Sequence, residues 1–170
     1  MDLKDLIRDV PDFPKKGIIF KDITTLLKDK DAFKEAVDKL AEECEEKKID
    51  IVVAVEARGF IFGGALAYKL GAGFVPLRKP GKLPYKTIKE TYTLEYGTDT
   101  LEIHEDAIKH GDSVLVIDDL LATGGTSLAT VKLVKKLGGN VSKIVFLIDL
   151  TFLKGAEKLE GYEVSSLIKY

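Results

Sequence analysis

Fourteen consecutive residues, Val114-Leu115-Val116-Ile117-Asp118-Asp119-Leu120-Leu121-Ala122-Thr123-Gly124-Gly125-Thr126-Ser127, leave this chain few folds to choose from. Four apolar residues, mostly β-branched, predict a strand buried on both faces. Two adjacent carboxylates stand at its end, and a loop of small residues then runs into a helical pattern starting near Thr126. A strand, a glycine loop and a helix N-terminus in that order belong to α/β folds, which bind ligands outside the carboxyl ends of parallel strands.

Each part has a chemical use. Gly124 and Gly125 let the backbone approach a ligand. Successive N–H groups there, with the hydroxyls of Thr123, Thr126 and Ser127, suit a phosphate at the positive end of the helix. Carboxylates would repel that phosphate, so Asp118 and Asp119 must face hydroxyls or a metal; a ribose carrying a 5-phosphate offers hydroxyls and phosphate together. The plainer alternative is ordinary strand-to-helix punctuation in which the Asp pair only caps a helix. A nucleoside triphosphate loop is disfavoured because no Lys follows the glycines. The stretch resembles the fingerprint of the type I phosphoribosyltransferases, which use 5-phosphoribosyl 1-pyrophosphate. That resemblance implies that Asp118 and Asp119 hold the ribose hydroxyls and that Ala122, Thr123, Gly124, Gly125, Thr126 and Ser127 hold the 5-phosphate.

At 170 residues and 45% hydrophobic, the chain has the length for one well-buried core, so one domain over 1–170 is expected. Its 26 basic and 28 acidic residues are well mixed and net to −2, which implies neither a nucleic-acid face nor a membrane-seeking patch. Cys44 is the only cysteine, which excludes an intramolecular disulfide framework and a multi-cysteine metal site. No stretch approaches the roughly twenty apolar residues that span a bilayer. The early charges Asp2, Lys4, Asp5 and Arg8 do not fit a secretory segment, so a cytoplasmic protein is expected.

Residues 3–10 suggest a short helix ended by Pro11, and 18–23 an extended segment. Asp31 is the expected N-cap of a helix whose apolar stripe is Phe33, Ala36, Val37, Leu40, Ala41 and Cys44; this makes Cys44 a core residue rather than a nucleophile. Residues 51–55 read as a second central strand, followed by the charged loop Glu56-Ala57-Arg58-Gly59 and a helix over about 60–70. A short strand over 74–77 leads to Arg78-Lys79-Pro80-Gly81-Lys82-Leu83-Pro84, which read plainly is a solvated mobile loop. Residues 87–96 form a strand, paired as a hairpin with 101–103 across Gly97-Thr98-Asp99. A helix carrying Leu128, Val131, Val134 and Leu137, a strand over 141–150 and an edge strand over 162–168 complete the chain. His104 and His110 are too isolated for a metal site or dyad.

Several of these segments extend the resemblance over nearly the whole chain. Phe13-Pro14 with Gly17-Ile18-Ile19-Phe20-Lys21-Asp22 is similar to the N-terminal hood of adenine phosphoribosyltransferases. There Phe20 would stack on the base while Ile19 and Lys21 supply backbone contacts. Glu56-Ala57-Arg58-Gly59 resembles the pyrophosphate loop, with Arg58 as a catalytic phosphate clamp assisted by Arg78, Lys79 and Lys82; a bare Arg there could equally be a surface ion-pair partner. Tyr92-Thr93-Leu94-Glu95-Tyr96-Gly97 resembles the adenine enzymes' own signature, making Glu95 the acid/base; in isolation it would pass for an exposed charge. Thr151-Phe152-Leu153-Lys154-Gly155 is similar to the segment that closes the purine pocket, with Leu153 against the base. The chain departs from many relatives at Tyr85-Lys86, after Leu83-Pro84.

The resemblance implies a central, mostly parallel sheet flanked by helices, a small N-terminal hood and a flexible β-hairpin loop. It further implies transfer of phosphoribose from 5-phosphoribosyl 1-pyrophosphate to N9 of adenine, with Mg²⁺ carried by the substrate rather than bound by the protein alone, and a homodimer. Ala122 stands where hypoxanthine-guanine enzymes carry an Asp that handles a purine proton. A methyl group cannot, which passes the task to Glu95 and favours adenine. The alternatives are a hypoxanthine-guanine or xanthine enzyme, and a non-catalytic regulator that senses the phosphoribosyl ligand.

Overall fold

The structure is a computed structural model that describes residues 1–94 and 96–170. Its chain divides into two compact units, Met1–Lys39 and Leu40–Tyr170.

The first unit opens with a 3-10 turn, Leu3–Leu6, capped by Asp2, whose Oδ1 accepts from the Lys4 amide at 3.0 Å. Strand β1 (Arg8–Pro11) then pairs antiparallel with β2 (Ile19–Asp22), placing Val10 opposite Phe20 and Pro11 opposite Ile19. The helix expected over 3–10 is therefore one turn followed by a strand. So short a helix makes too few hydrogen bonds to offset nucleation, whereas residues 8–11 find backbone partners on β2. Ion pairs Arg8–Asp22 at 2.5 Å and Lys21–Asp9 at 2.7 Å join the two strands. Bonds from the Thr24 hydroxyl and amide, with the Arg8 guanidinium, hold the Asp22 carboxyl down at about 2. Helix α1 (Thr24–Leu27) is a single turn, and α2 (Lys30–Glu42) follows. Asp29 caps α2 rather than Asp31, its Oδ1 accepting from the amides of Asp31 and Ala32 at 3.0 Å each. Both aspartates suit a cap by type; the helix begins at Lys30, which leaves Asp29 outside it with a free carboxylate facing the first turn.

The second unit carries β3 (Ile51–Val55), α3 (Arg58–Leu70), β4 (Gly73–Leu77), β5 (Thr87–Thr93), β6 (Thr98–His104), β7 (Ser113–Leu121), α4 (Gly125–Lys136), β8 (Asn140–Asp149) and β9 (Val164–Lys169). Five strands make a parallel sheet in the order β4-β3-β7-β8-β9, and β5 and β6 form a separate antiparallel hairpin. Successive side chains point to opposite faces of a strand. Val53, Val55, Val114 and Val116 join one buried cluster with Val131 and Val134 of α4 and Leu101 and Ile103 of β6. The alternate residues meet α3: a Cβ added at Gly63 would lie 2.8 Å from Ala54 Cβ and 3.5 Å from Ile117 Cγ2. Helices on both faces explain why 51–55 and 114–117 are unbroken apolar runs. Cys44 is buried, and burial pushes its thiol up to about 11.

Boundaries shift from expectation, and the strand expected over 87–96 ends at Thr93. Arg58 and Gly59 are the first residues of α3 rather than loop. Thr98 and Asp99 are in β6 rather than in the hairpin turn, because Tyr92 pairs with Asp99 and Thr93 with Thr98.

Candidate active site

The sheet order creates the site. From β3 the chain crosses to β4 on one side, and from β7 it crosses to β8 on the other. The connections leaving β3 and β7 therefore diverge and open a crevice at their carboxyl ends. β7 pairs with β3 only as far as Ile117 opposite Ala54, but with β8 as far as Leu121 opposite Asp149. The two acids expected just beyond the strand thus lie within it, on the stretch that outruns β3, because the long β8 continues to supply backbone partners.

Asp119 is buried and Asp118 half-buried. Arg58, at the start of α3, places Nε 3.0 Å from Asp119 Oδ2, which among the described residues makes no hydrogen bond. The Asp119 amide donates to Asp118 Oδ1 at 2.9 Å. Burial, followed by the adjacent negative charge of Asp119, pushes the Asp118 carboxyl well above its ordinary range. The pair is thus suited to donors such as hydroxyls and to positive charge brought by a ligand. Gly59 makes room for it: a Cβ there would lie 2.8 Å from Asp118 Oδ1.

The cations of 78–82 gather on carboxylates. Glu56 Oε1 accepts from the Lys79 amide at 2.7 Å and from Arg78 Nε at 3.3 Å, and Lys82 Nζ donates to Oε2 at 2.7 Å. Burial alone would raise the Glu56 carboxyl, but the Lys82 bond, the Lys79 amide and the charges of Lys82 and Arg78 outweigh it and hold it at about 2. Lys79 Nζ is paired with Asp99 Oδ2. Glu102 secures the same segment, accepting from the Gly81 amide at 2.8 Å while Arg78 and Glu102 exchange backbone bonds. The segment read plainly as a solvated loop therefore has its charges paired.

Beyond Leu121 the chain turns through Gly124, at φ +88°, into α4. A side chain at Gly124 would be strained by that φ, and its Cβ would meet the Gly155 carbonyl oxygen at 2.5 Å. No side chain caps α4 and its first turn holds no acid, so its amide end is shaped for an anion. Residues 122–127 line a recess of about 80 Å³. Beside it, a cavity of about 270 Å³ is bordered by Arg58, Lys79, Tyr92, Asp118, Asp119 and Thr126 among others. Thr126 Oγ1 donates to the Tyr92 hydroxyl at 3.2 Å, and that hydroxyl donates to Asp99 at 3.5 Å. The helix N-terminus is thereby tied to the hairpin.

Residues 24–167 match the family described as the phosphoribosyl transferase domain. An adenine phosphoribosyltransferase from Thermotoga sp. (strain RQ2) is 62% identical over all 170 residues, covering both chains completely. The chain belongs to the phosphoribosyltransferase family.

Its fold is that of the solved members. The crystal structure of adenine phosphoribosyltransferase from Thermoanaerobacter pseudethanolicus superimposes with a TM-score of 0.97 at 59% identity, covering 99% of this chain and 98% of that one. The Saccharomyces cerevisiae enzyme, in complex with adenine and D-2,5-dideoxy-2,5-imino-altritol 1,6-bisphosphate, gives 0.91 at 43% identity, covering 97% and 96%. Of the residues that resemblance singled out, this phosphoribosyltransferase brings Glu56, Ala57, Arg58, Lys79, Asp118, Asp119 and Thr126 to one cavity, with Arg78 and Lys82 joined to it through Glu56. Leu153 is 40% exposed on the 3-10 turn Thr151–Leu153 and is not among the described residues lining that cavity. In the first unit, the Phe20 ring meets Phe13 edge-on at 5.1 Å, Ile19 is exposed, and Lys21 pairs with Asp9. Glu95 lies outside the described residues. Sequence reasoning missed Asp99, Glu102 and the Tyr92 hydroxyl as members of the site. Asp99 passes for a turn former in sequence, and only the β5–β6 register, counted back from Gly97, puts it opposite Tyr92.

Proposed function

We propose that this chain is a purine salvage enzyme that transfers the 5-phosphoribosyl group of 5-phosphoribosyl 1-pyrophosphate to N9 of adenine, releasing AMP and pyrophosphate. The observation that carries the reading is the meeting, at one crevice, of a paired-acid strand, a capless helix N-terminus and a cluster of cations. A ribose with a phosphate at one end and a pyrophosphate at the other needs those three groups in that arrangement.

In the reaction the C1–O bond to pyrophosphate breaks, its electron pair leaves with pyrophosphate, and C1 bonds to N9 as the purine gives up a proton. Asp118 and Asp119 hold the ribose hydroxyls and favour the positive charge that develops on the ring. Residues 122–127 bind the 5-phosphate, which does not react, so that its binding energy orients the reacting carbon. Arg58, with the pyrophosphate loop Glu56–Ala57–Gly59 around it and Arg78, Lys79 and Lys82 beside it, stabilises the leaving charge. Phe20 stacks on adenine, Ile19 and Lys21 offer backbone contacts, and Leu153 closes the pocket. Glu95 takes the purine proton.

No group of three His, Cys, Asp or Glu assembles among the described residues; the adjacent carboxylates of Asp118 and Asp119, the latter paired with Arg58 at 3.0 Å, suit a Mg²⁺ carried on the substrate's own oxygens beside them. A Mg²⁺ so bound would neutralise the leaving pyrophosphate. The reading takes 1–170 as one phosphoribosyltransferase domain that works as a homodimer in the cytoplasm. No helix among the described residues is long and apolar enough to cross a membrane.

The test is formation of AMP and pyrophosphate from 5-phosphoribosyl 1-pyrophosphate and Mg²⁺ with adenine, guanine, hypoxanthine and xanthine in turn. Turnover with adenine alone is expected. Preference for an oxopurine would overturn the choice of base, and tight ligand binding without turnover on any base would overturn the enzyme.

A further inference from the structure

The donors assigned above to pyrophosphate are already engaged by carboxylates of this chain. Glu56 takes the Lys79 amide and Lys82 Nζ at 2.7 Å each and Arg78 Nε at 3.3 Å, and Asp99 takes Lys79 Nζ. The Glu56 side chain has only 11% exposure, and Arg78 and Lys82 have 36% and 47%, so the cations close over the carboxylate from the solvent side. A phosphate oxygen reaching Lys82 or Arg78 must therefore compete with Glu56 for the same N–H groups.

We propose that Glu56 is a built-in competitor of pyrophosphate, a positioning residue that holds Arg78 and Lys82 in place and takes them back as the product leaves, with Asp99 acting likewise on Lys79. This rests on the proposed function for the identity of the anion. Its physical basis is an exchange of equal kinds of bond. Each cation trades a carboxylate oxygen for a phosphate oxygen, so little desolvation opposes binding and little opposes release. Pyrophosphate wins when present because it carries more charge than one carboxylate. It does not win by the full strength of its contacts, because each contact displaces another. Glu102 leaves the backbone of the segment anchored throughout, since its bonds run to the Gly81 amide and to Arg78 main chain rather than to the cationic heads. The side chains can thus change partner without the segment unfolding.

Removing the charge of Glu56 should tighten product binding, a gain that a merely damaged site would not show. Inorganic pyrophosphate, with Mg²⁺ in fixed excess, is titrated calorimetrically into the wild type, Glu56→Gln and Asp99→Asn, each first checked for native circular dichroism. Glu56→Gln keeps a carbonyl oxygen for the Lys79 amide and loses the attraction for Lys82 and Arg78. The expected result is a Kd about three- to tenfold lower than wild type for Glu56→Gln and a smaller decrease for Asp99→Asn. In turnover, inhibition by pyrophosphate should strengthen and kcat should fall as release slows. Unchanged or weaker pyrophosphate binding in Glu56→Gln overturns the proposal, and if that variant does not fold, the same outcome in Asp99→Asn overturns it. Absence of pyrophosphate binding and of AMP formation in the wild type would instead refute the functional reading on which it rests.

Discussion

Residues 122–127 and residues 78–82 each serve one end of the same substrate in the proposed reaction, yet they are held in different ways. The first is a backbone device: Gly124 in the left-handed region turns β7 into α4, the Gly155 carbonyl packs where a side chain would be, and the uncapped start of α4 borders the recess. The second is a side-chain device, in which three basic residues are placed by Glu56, Asp99 and Glu102 from distant parts of the chain. Backbone geometry cannot be exchanged for anything the ligand brings, whereas ion pairs can. A group that stays bound through the reaction suits the first, and a group that must leave suits the second.

Four perturbations break or sharpen this contrast. The largest effect should come from Glu95, which neither device includes: Glu95→Gln should lower kcat by about 10²-fold or more in steady-state AMP formation. A changed KM for phosphoribosyl pyrophosphate with kcat intact would return Glu95 to a binding role. Gly124→Ala adds one carbon, yet it forces a strained φ and a carbonyl clash, so the KM for phosphoribosyl pyrophosphate should rise on the order of tenfold or more. Lys82→Met removes a whole charge but a half-exposed one, and the same KM should rise only about three- to fivefold. If these last two effects came out equal, the distinction between the devices would lose its energetic basis.

The smallest effect concerns pH. Glu56 has its carboxyl held at about 2 against an ordinary 4.5, so the fastening it provides is complete above about 4.5 and is lost as the pH falls toward 2. Amide exchange at Lys79 and Gly81, read by mass spectrometry between pH 5 and pH 3 and corrected for intrinsic rates, should lose protection before that in α4 from Leu128 onward, whose amide bonds the Gly124 carbonyl. Simultaneous loss at both would show that Glu56 contributes nothing local.

The same contrast decides what could be read in advance. Strand β3 was legible residue for residue and β8 nearly so, because a two-sided sheet demands apolar runs; of β7, Ser113–Leu121, only the apolar run 114–117 was read as strand, and the edge strand β9, which carries Ser165 and Ser166, was placed to within two residues at each end. The recess over 122–127 was legible because strand, glycines and helix are contiguous. The acids were placed correctly in space but outside their strand, since the length of β7 depends on β8, a partner some twenty residues further on. That carboxylates hold 78–82 could not be read in advance: Glu56 stood out only as part of the pyrophosphate loop and Asp99 and Glu102 not at all, because the three meet that segment only once β4 has delivered Arg78 against β6. At the N-terminus, residues 8–11 took strand over helix for a similar reason, because β2 offers partners that local propensity does not reveal.

The most direct test of the account separates the two ends of the substrate. Ribose 5-phosphate and inorganic pyrophosphate are titrated independently into the wild type, Gly124→Ala and Lys82→Met. The account predicts that Gly124→Ala weakens ribose 5-phosphate by about tenfold or more and leaves pyrophosphate within about twofold, and that Lys82→Met weakens pyrophosphate alone. Equal weakening of both ligands by either variant, or the reverse pairing, would contradict it.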